Sequence, residues 1–221
     1  MNDMFQEFIK KLSKEIKREL PGFSAQKLMA PLGRKPPIDY LQNGVIPKKS
    51  AVLILLYPEY GTIKTVLILR PEDEVGNHAG QISFPGGGMH ISDNNLSETA
   101  LRETEEEIGV KRSTITLLGE LTPLYIPVSN FMVHPFVGST AIVSDFKIEP
   151  REVQGLLVVE VENLFSGNNK NKKQVEVFVK QKKTKMEVPC YEINGEIIWG
   201  ATAMIISELE EVVRRITSQK L

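Results

Sequence analysis

The segment Ala51–Tyr57 reads AVLILLY, an apolar run with no polar alternation. Successive side chains of a strand point to opposite faces, so a run of this kind needs cover on both sides of its sheet. That demand makes it a central strand covered on both faces. Helical patterns occur at both ends of the chain. Met4, Phe5, Phe8, Ile9, Leu12, Ile16 and Leu20 recur at helical spacing before Pro21-Gly22, which reads as the stop. After Gly200, the residues Ala203, Ile205, Ile206, Leu209, Val212, Val213 and Ile216 mark one face of a closing helix.

Further strands are expected at Thr65–Leu69, Gln81–Phe84, Thr114–Leu121, Met132–Val137 and Val153–Val159. A hairpin over Gln174–Val179 and Met186–Ile193 follows, then Ile197–Trp199. Strands and helices interleave irregularly, which favours a mixed α/β (α+β) domain over a doubly wound parallel sheet. Pro36-Pro37, Gly44 and Pro47 make 31–49 an extended connector. Residues 1–50 thus read as a helix and connector packed on a body spanning 51–221.

Composition excludes several classes. Lysine plus arginine (27) nearly balances aspartate plus glutamate (28), which argues against nucleic-acid binding driven by bulk charge. The single cysteine, Cys190, forms no internal disulfide and fits a reducing compartment. The N-terminal helix mixes lysines and acids among its apolar residues, unlike a signal peptide, and no apolar run reaches membrane-spanning length. A soluble, cytoplasmic protein without a membrane partner is expected.

Chemistry concentrates between Gly88 and Val110, where a glycine turn precedes a helix ending Arg102-Glu103-Thr104-Glu105-Glu106-Glu107-Ile108-Gly109-Val110. Asn95 reads as N-cap with Glu98 three residues on, and Gly109 as the C-terminal stop. Residues three and four apart share a helix face, so Glu103, Glu106 and Glu107 point the same way. An acid near a helix C-terminus costs roughly 0.3–1 kcal/mol against the dipole. Repulsion between Glu103 and Glu107 adds about 0.2–0.5 kcal/mol. A divalent cation is the simplest compensation.

Gly88, Arg102, Glu103, Glu106, Glu107, Gly109 and Val110 resemble the Nudix box of hydrolases acting on nucleoside diphosphates linked to another moiety. Asn94 replaces the glutamate expected six residues after the first glycine, and Thr104 the usual aliphatic residue. Arg70, His78, Gly80, Gln81 and Phe84-Pro85-Gly86-Gly87, then Asp93 and Thr99-Ala100-Leu101, are similar to the coenzyme A pyrophosphatase branch. So are Pro127–Phe131, Glu152 and Ile198–Ala203. In that branch the missing box glutamate is common, whereas His90 stands where an aspartate is usual.

The resemblance implies a Nudix fold, with a mixed sheet between helices, and cleavage of coenzyme A or an acyl derivative to 3′,5′-ADP and a phosphopantetheine. It implies Mg2+ or Mn2+ held by Glu103, Glu106, Glu107 and the Gly87 carbonyl, because hard cations favour oxygen ligands. Glu103 competes with Glu152 or an acid from another loop for the role of base, Glu107 belongs to the catalytic set, and Arg102 orients the carboxylates. Arg70, His78, Gly80, Gln81, Gly86 and Gly87 are the expected substrate contacts, and homodimer formation is left open.

Rival readings are a Nudix hydrolase of ADP-ribose or a dinucleotide, and a non-catalytic nucleotide sensor. His90 and His134 lack a second ligand at metal spacing, and Trp199 reads as core. Lys170, Lys172, Lys173, Lys180, Lys182, Lys183 and Lys185 read as a solvated hairpin face, with reach to an extra substrate phosphate as the minority reading.

Overall fold

The apolar run lies inside a long strand, and the chain before it is mostly helical. The computed structural model describes residues 2–42, 44–71, 80–141, 145–179 and 182–218. Helices α1 (Asn2–Ile16), α2 (Phe23–Gln26) and α3 (Pro37–Leu41) precede β1 (Lys48–Glu59). Helix α1 ends at Ile16 rather than at Pro21-Gly22. Proline pushes the residue before it out of the helical region, and the chain has already turned off through an Arg18 amide bond to the Glu15 carbonyl. The connector is also less extended than expected, because Pro36-Pro37 initiates α3, with Pro37 at its first position.

Strand β1 turns at Tyr60-Gly61, both with positive φ, into antiparallel β2 (Thr62–Leu69). Then come β3 (Ile82–Ser83), β4 (Gly86–Gly88), α4 (Leu96–Ile108), β5 (Thr116–Glu120), β6 (Leu124–Ile126), β7 (Phe131–Ser139), β8 (Gly155–Glu160) and α5 (Val161–Leu164). The main sheet is mixed. β1 runs parallel to β7, while β2, β4, β5, β6 and β8 each pair antiparallel with a neighbour. A second sheet joins β9 (Lys170–Val179), β10 (Lys182–Ile193) and β11 (Glu196–Trp199), before the closing helix α6 (Gly200–Thr217).

Both faces of β1 are buried, as the AVLILLY run requires. Ala51, Leu53 and Leu55 pack with Ala100 and Ile108 of α4. Ile54 and Leu56 belong to the larger core formed with α1 and α6. The seven α6 residues expected on one face are all buried. This is the expected mixed sheet between helices. Among the described residues, no helix is long and apolar enough to cross a membrane.

Candidate active site

The site is built where β4 meets α4. Asn95 caps the helix, its side chain accepting from the Glu98 amide at 3.0 Å, and Gly109 closes it in the left-handed region at φ 74°. Only half of the capping box forms. The Glu98 carboxylate bonds the Asn94 amide and side chain instead of the Asn95 amide.

Gly86–Gly88, expected as a turn, forms a short strand against Ser50–Val52. A Cβ at Gly86 would collide with the Ala51 carbonyl and stand 2.6 Å from the Val52 Cα, so β1 pairing requires glycine there. A Cβ at Gly87 would lie 2.6 Å from the Glu103 carboxyl carbon. The glycine strand therefore lets one backbone approach both β1 and the acidic helix.

Carboxylate oxygens of Glu103, Glu107 and Glu152 lie within 4.8 Å of one another. Helical spacing supplies the first two. Glu152 arrives because Lys147 and Glu149 donate backbone hydrogen bonds to the carbonyls of Ile108 and Glu107, and the chain then turns from Glu149 to Glu152. Burial pushes Glu107 up to about 8, opposed by the Gly86 amide and Arg70 and reinforced by Glu103 and Glu152. Burial likewise raises Glu103, against the pull of Arg102. Three crowded carboxylates, with Glu103 and Glu107 resisting ionisation, suit a hard divalent cation, which offsets both burial and repulsion.

Glu106 differs from the expected arrangement. It is exposed, outside the three-carboxylate group, and its Oε2 accepts from Arg102 Nη1 at 2.8 Å. An offset of three residues from Glu103, against four for Glu107, turns it toward the Arg102 edge of the helix. Arg102 organises this edge. Its Nε and Nη2 bond the two Asp93 oxygens at 2.9 Å each, Nη1 pairs with Glu103 at 2.9 Å, and Nη2 reaches the Gly88 carbonyl at 3.3 Å. This forked pairing holds the Asp93 carboxyl well below the usual carboxylate range.

His90 has a local role. Its amide donates to Asp93 at 2.9 Å and its ring contacts the Ser92 hydroxyl at 2.8 Å, closing the loop before α4. His134 pairs with Glu120 at 2.6 Å, with no metal cluster around it among the described residues.

A cavity of about 560 Å³ opens beside Gly86–Gly88. Arg70 and Gln81 line it, joined by the bond from the Arg70 amide to the Gln81 carbonyl. Gly80 lies just outside, its amide on the Pro71 carbonyl, and His78 lies outside the described residues. Trp199, expected in the core, is half-buried on the cavity wall because Gly200 turns the chain there into α6. Among the described residues of the lysine-rich hairpin, Glu176, Val177 and Met186 line it, while Lys180 and the side chains of Lys182 and Lys183 lie outside the described residues. Sequence reasoning missed Arg34, Tyr40 and Ser83 as lining residues. The first two sit in the connector, where the sole signal was the proline-rich composition.

The site thus joins a glycine strand to an acidic helix on a mixed sheet between helices. The NUDIX domain family matches residues 47–179. The uncharacterized Nudix hydrolase NudL of Pectobacterium atrosepticum is 34% identical over 164 residues, covering 73% of this chain and 81% of that protein. NudL of Yersinia pestis strain Pestoides F is 33% identical over 168 residues, covering 75% and 80%. The solved Nudix hydrolase RenU of M. smegmatis aligns with a TM-score of 0.48 at 14% identity, covering 79% and 88%. The chain belongs to the Nudix family. It is a hydrolase of phosphorus anhydrides acting on a nucleoside diphosphate derivative.

Proposed function

We propose that this hydrolase cleaves the diphosphate of coenzyme A or an acyl-coenzyme A, giving 3′,5′-ADP and the corresponding 4′-phosphopantetheine. The observation that carries the reading is the meeting of Glu103, Glu107 and Glu152 beside a glycine strand that opens onto a nucleotide-sized cavity. Support for the substrate comes from where the branch-like segments lie. Arg70, Gln81, Gly86-Gly87, Pro127–Ser129 and Trp199–Thr202 all line that cavity.

In this proposal Glu103, Glu107 and Glu152 hold Mg2+ or Mn2+, with Glu106 on the rim and the Gly87 carbonyl as further ligands. When bound, the ion supplies Lewis acidity and lowers the pKa of the attacking water. Glu152 is the solvent-exposed member and takes the water proton, whereas Glu103 is tied to Arg102. Arg102 positions Glu103 and Glu106 and stays clear of substrate. Arg70 offers a cation to the diphosphate, and Gly86–Gly88 admit it closely. Residues 51–221 carry this activity in the cytoplasm, with 1–50 packed on them and a small nucleotide as partner.

A substrate panel tests the assignment. The ratio kcat/KM for coenzyme A should exceed those for ADP-ribose and diadenosine polyphosphates. A higher value for either rival would transfer the same chemistry to that substrate, and binding without turnover of any would favour a sensor.

A further inference from the structure

The cavity holds polar groups that metal chemistry does not use. Among the described residues, six buried side-chain polar atoms lack a hydrogen-bond partner, and three of them, Arg34 Nε, Ser83 Oγ and Ser129 Oγ, belong to residues lining this one cavity. Orphaned buried polar atoms are costly, and their concentration in residues that line one cavity points to a wall shaped for a ligand. Arg34 is the most telling. Burial lowers its pKa, opposed by a side-chain hydrogen bond with Tyr40 and by the nearby Tyr40 and Tyr125 hydroxyls, and no carboxylate is among these groups. A desolvated arginine without a carboxylate partner is an anion receptor.

Its position relative to the diphosphate follows from the sheet. Gly87 pairs with Ala51 on β1, β1 pairs with β7, and Tyr125 pairs with Met132 on β7. Three strand spacings, roughly 14 Å across the sheet, separate β4 from β6. The Tyr40 ring packs on Tyr125 at 4.7 Å between centroids, and Ser129 occupies the turn between β6 and β7. Arg34 and Ser129 thus line the cavity beside β6, three strands across the sheet from the glycine strand, where they are placed to meet an anion other than the scissile diphosphate.

We infer that Arg34 and Ser129 form a second anion subsite that receives a phosphate monoester on the nucleoside half of the substrate. This rests on the proposed seating of the scissile diphosphate at the glycine strand. The subsite is contributed partly by the connector, outside the 47–179 segment matched by the family. It would make the N-terminal segment a determinant of specificity rather than packing alone.

The test is calorimetric binding of 3′,5′-ADP and 5′-AMP, a pair differing by one phosphate monoester, to the full chain. Wild type should bind 3′,5′-ADP roughly 10- to 100-fold more tightly, the range for charge-assisted hydrogen bonds. Arg34→Ala should bring the two affinities close together, Arg34→Lys should keep part of the gap, and Ser129→Ala should narrow it less. Should Arg34→Ala fold poorly, Arg34→Gln reads the same ratio. Equal wild-type affinities, or a ratio unchanged in the Arg34 variants, would overturn the subsite. Coenzyme A turnover is scored separately. An Arg34-dependent ratio without coenzyme A cleavage leaves the subsite standing and removes the substrate proposal, and cleavage with an unchanged ratio does the reverse.

Discussion

The Gly86 amide donates to the Glu107 carboxylate at 2.8 Å, tying the glycine strand to the last turn of the acidic helix. One hydrogen bond thus fixes the distance between the backbone that admits the diphosphate and a carboxylate proposed to hold the metal. Glu107 is otherwise buried, 3% exposed, where desolvation and the charges of Glu103 and Glu152 outweigh the pull of Arg70.

That burial has a signature in pH. The folded-state pKa of Glu107, about 8, lies above its ordinary 4.5. The metal-free native state therefore keeps a proton that the unfolded chain releases. This contribution is fully present below 4.5 and lost as pH rises through about 8. Thermal melts of chelator-treated protein should show stability falling across that window, by a few kcal/mol in total. Glu107→Gln should flatten the slope, and saturating Mg2+ should oppose it. A rising or flat profile in the metal-free wild type would contradict the burial argument.

Removing a proposed ligand should cost more than removing its support. Glu107→Gln is expected to lower turnover by more than the roughly 100-fold that supporting residues are worth, and to weaken Mn2+ binding. Kinetics with parallel Mn2+ titration check this. Near-normal turnover would remove Glu107 from the metal site.

Gly87→Ala separates close approach from stability. The new Cβ would sit 2.6 Å from Glu103 Oε1 and 2.7 Å from Oε2, so Glu103 must shift. Activity should fall sharply while the melting temperature changes little. Gly155→Ala, with nothing within 4 Å of the added Cβ, is the control and should leave turnover unchanged.

Arg102→Lys keeps a positive charge and loses the fork that grips Asp93 while reaching Glu103, Glu106 and Gly88. The expected loss in kcat/KM is roughly 10- to 100-fold, typical of groups that orient metal ligands. Wild-type kcat/KM would show that the charge alone suffices.

The sequence disclosed what local periodicity controls. The AVLILLY run announced a strand covered on both faces, Asn95 and Gly109 bounded the box helix, and four-residue spacing brought Glu103 and Glu107 together. Glu106 shows the limit of that reasoning, because an ion pair with Arg102 outweighs a shared helix face in setting where a flexible carboxylate points. Glu152 entered through resemblance, and only the backbone bonds from Lys147 and Glu149 to the end of α4 explain its arrival. Arg34 and Tyr40 carried only the proline-rich composition of their connector, and Ser83 only its place in the expected strand 81–84. Sheet register and packing between segments far apart in the chain place them on the cavity, which no window of sequence encodes.

The most direct test of the account is incubation with coenzyme A and Mg2+, followed by mass identification of both products. The account predicts 3′,5′-ADP together with 4′-phosphopantetheine, at a rate that collapses in Glu107→Gln. Intact coenzyme A, under conditions where the same preparation cleaves ADP-ribose or a dinucleotide, would contradict it.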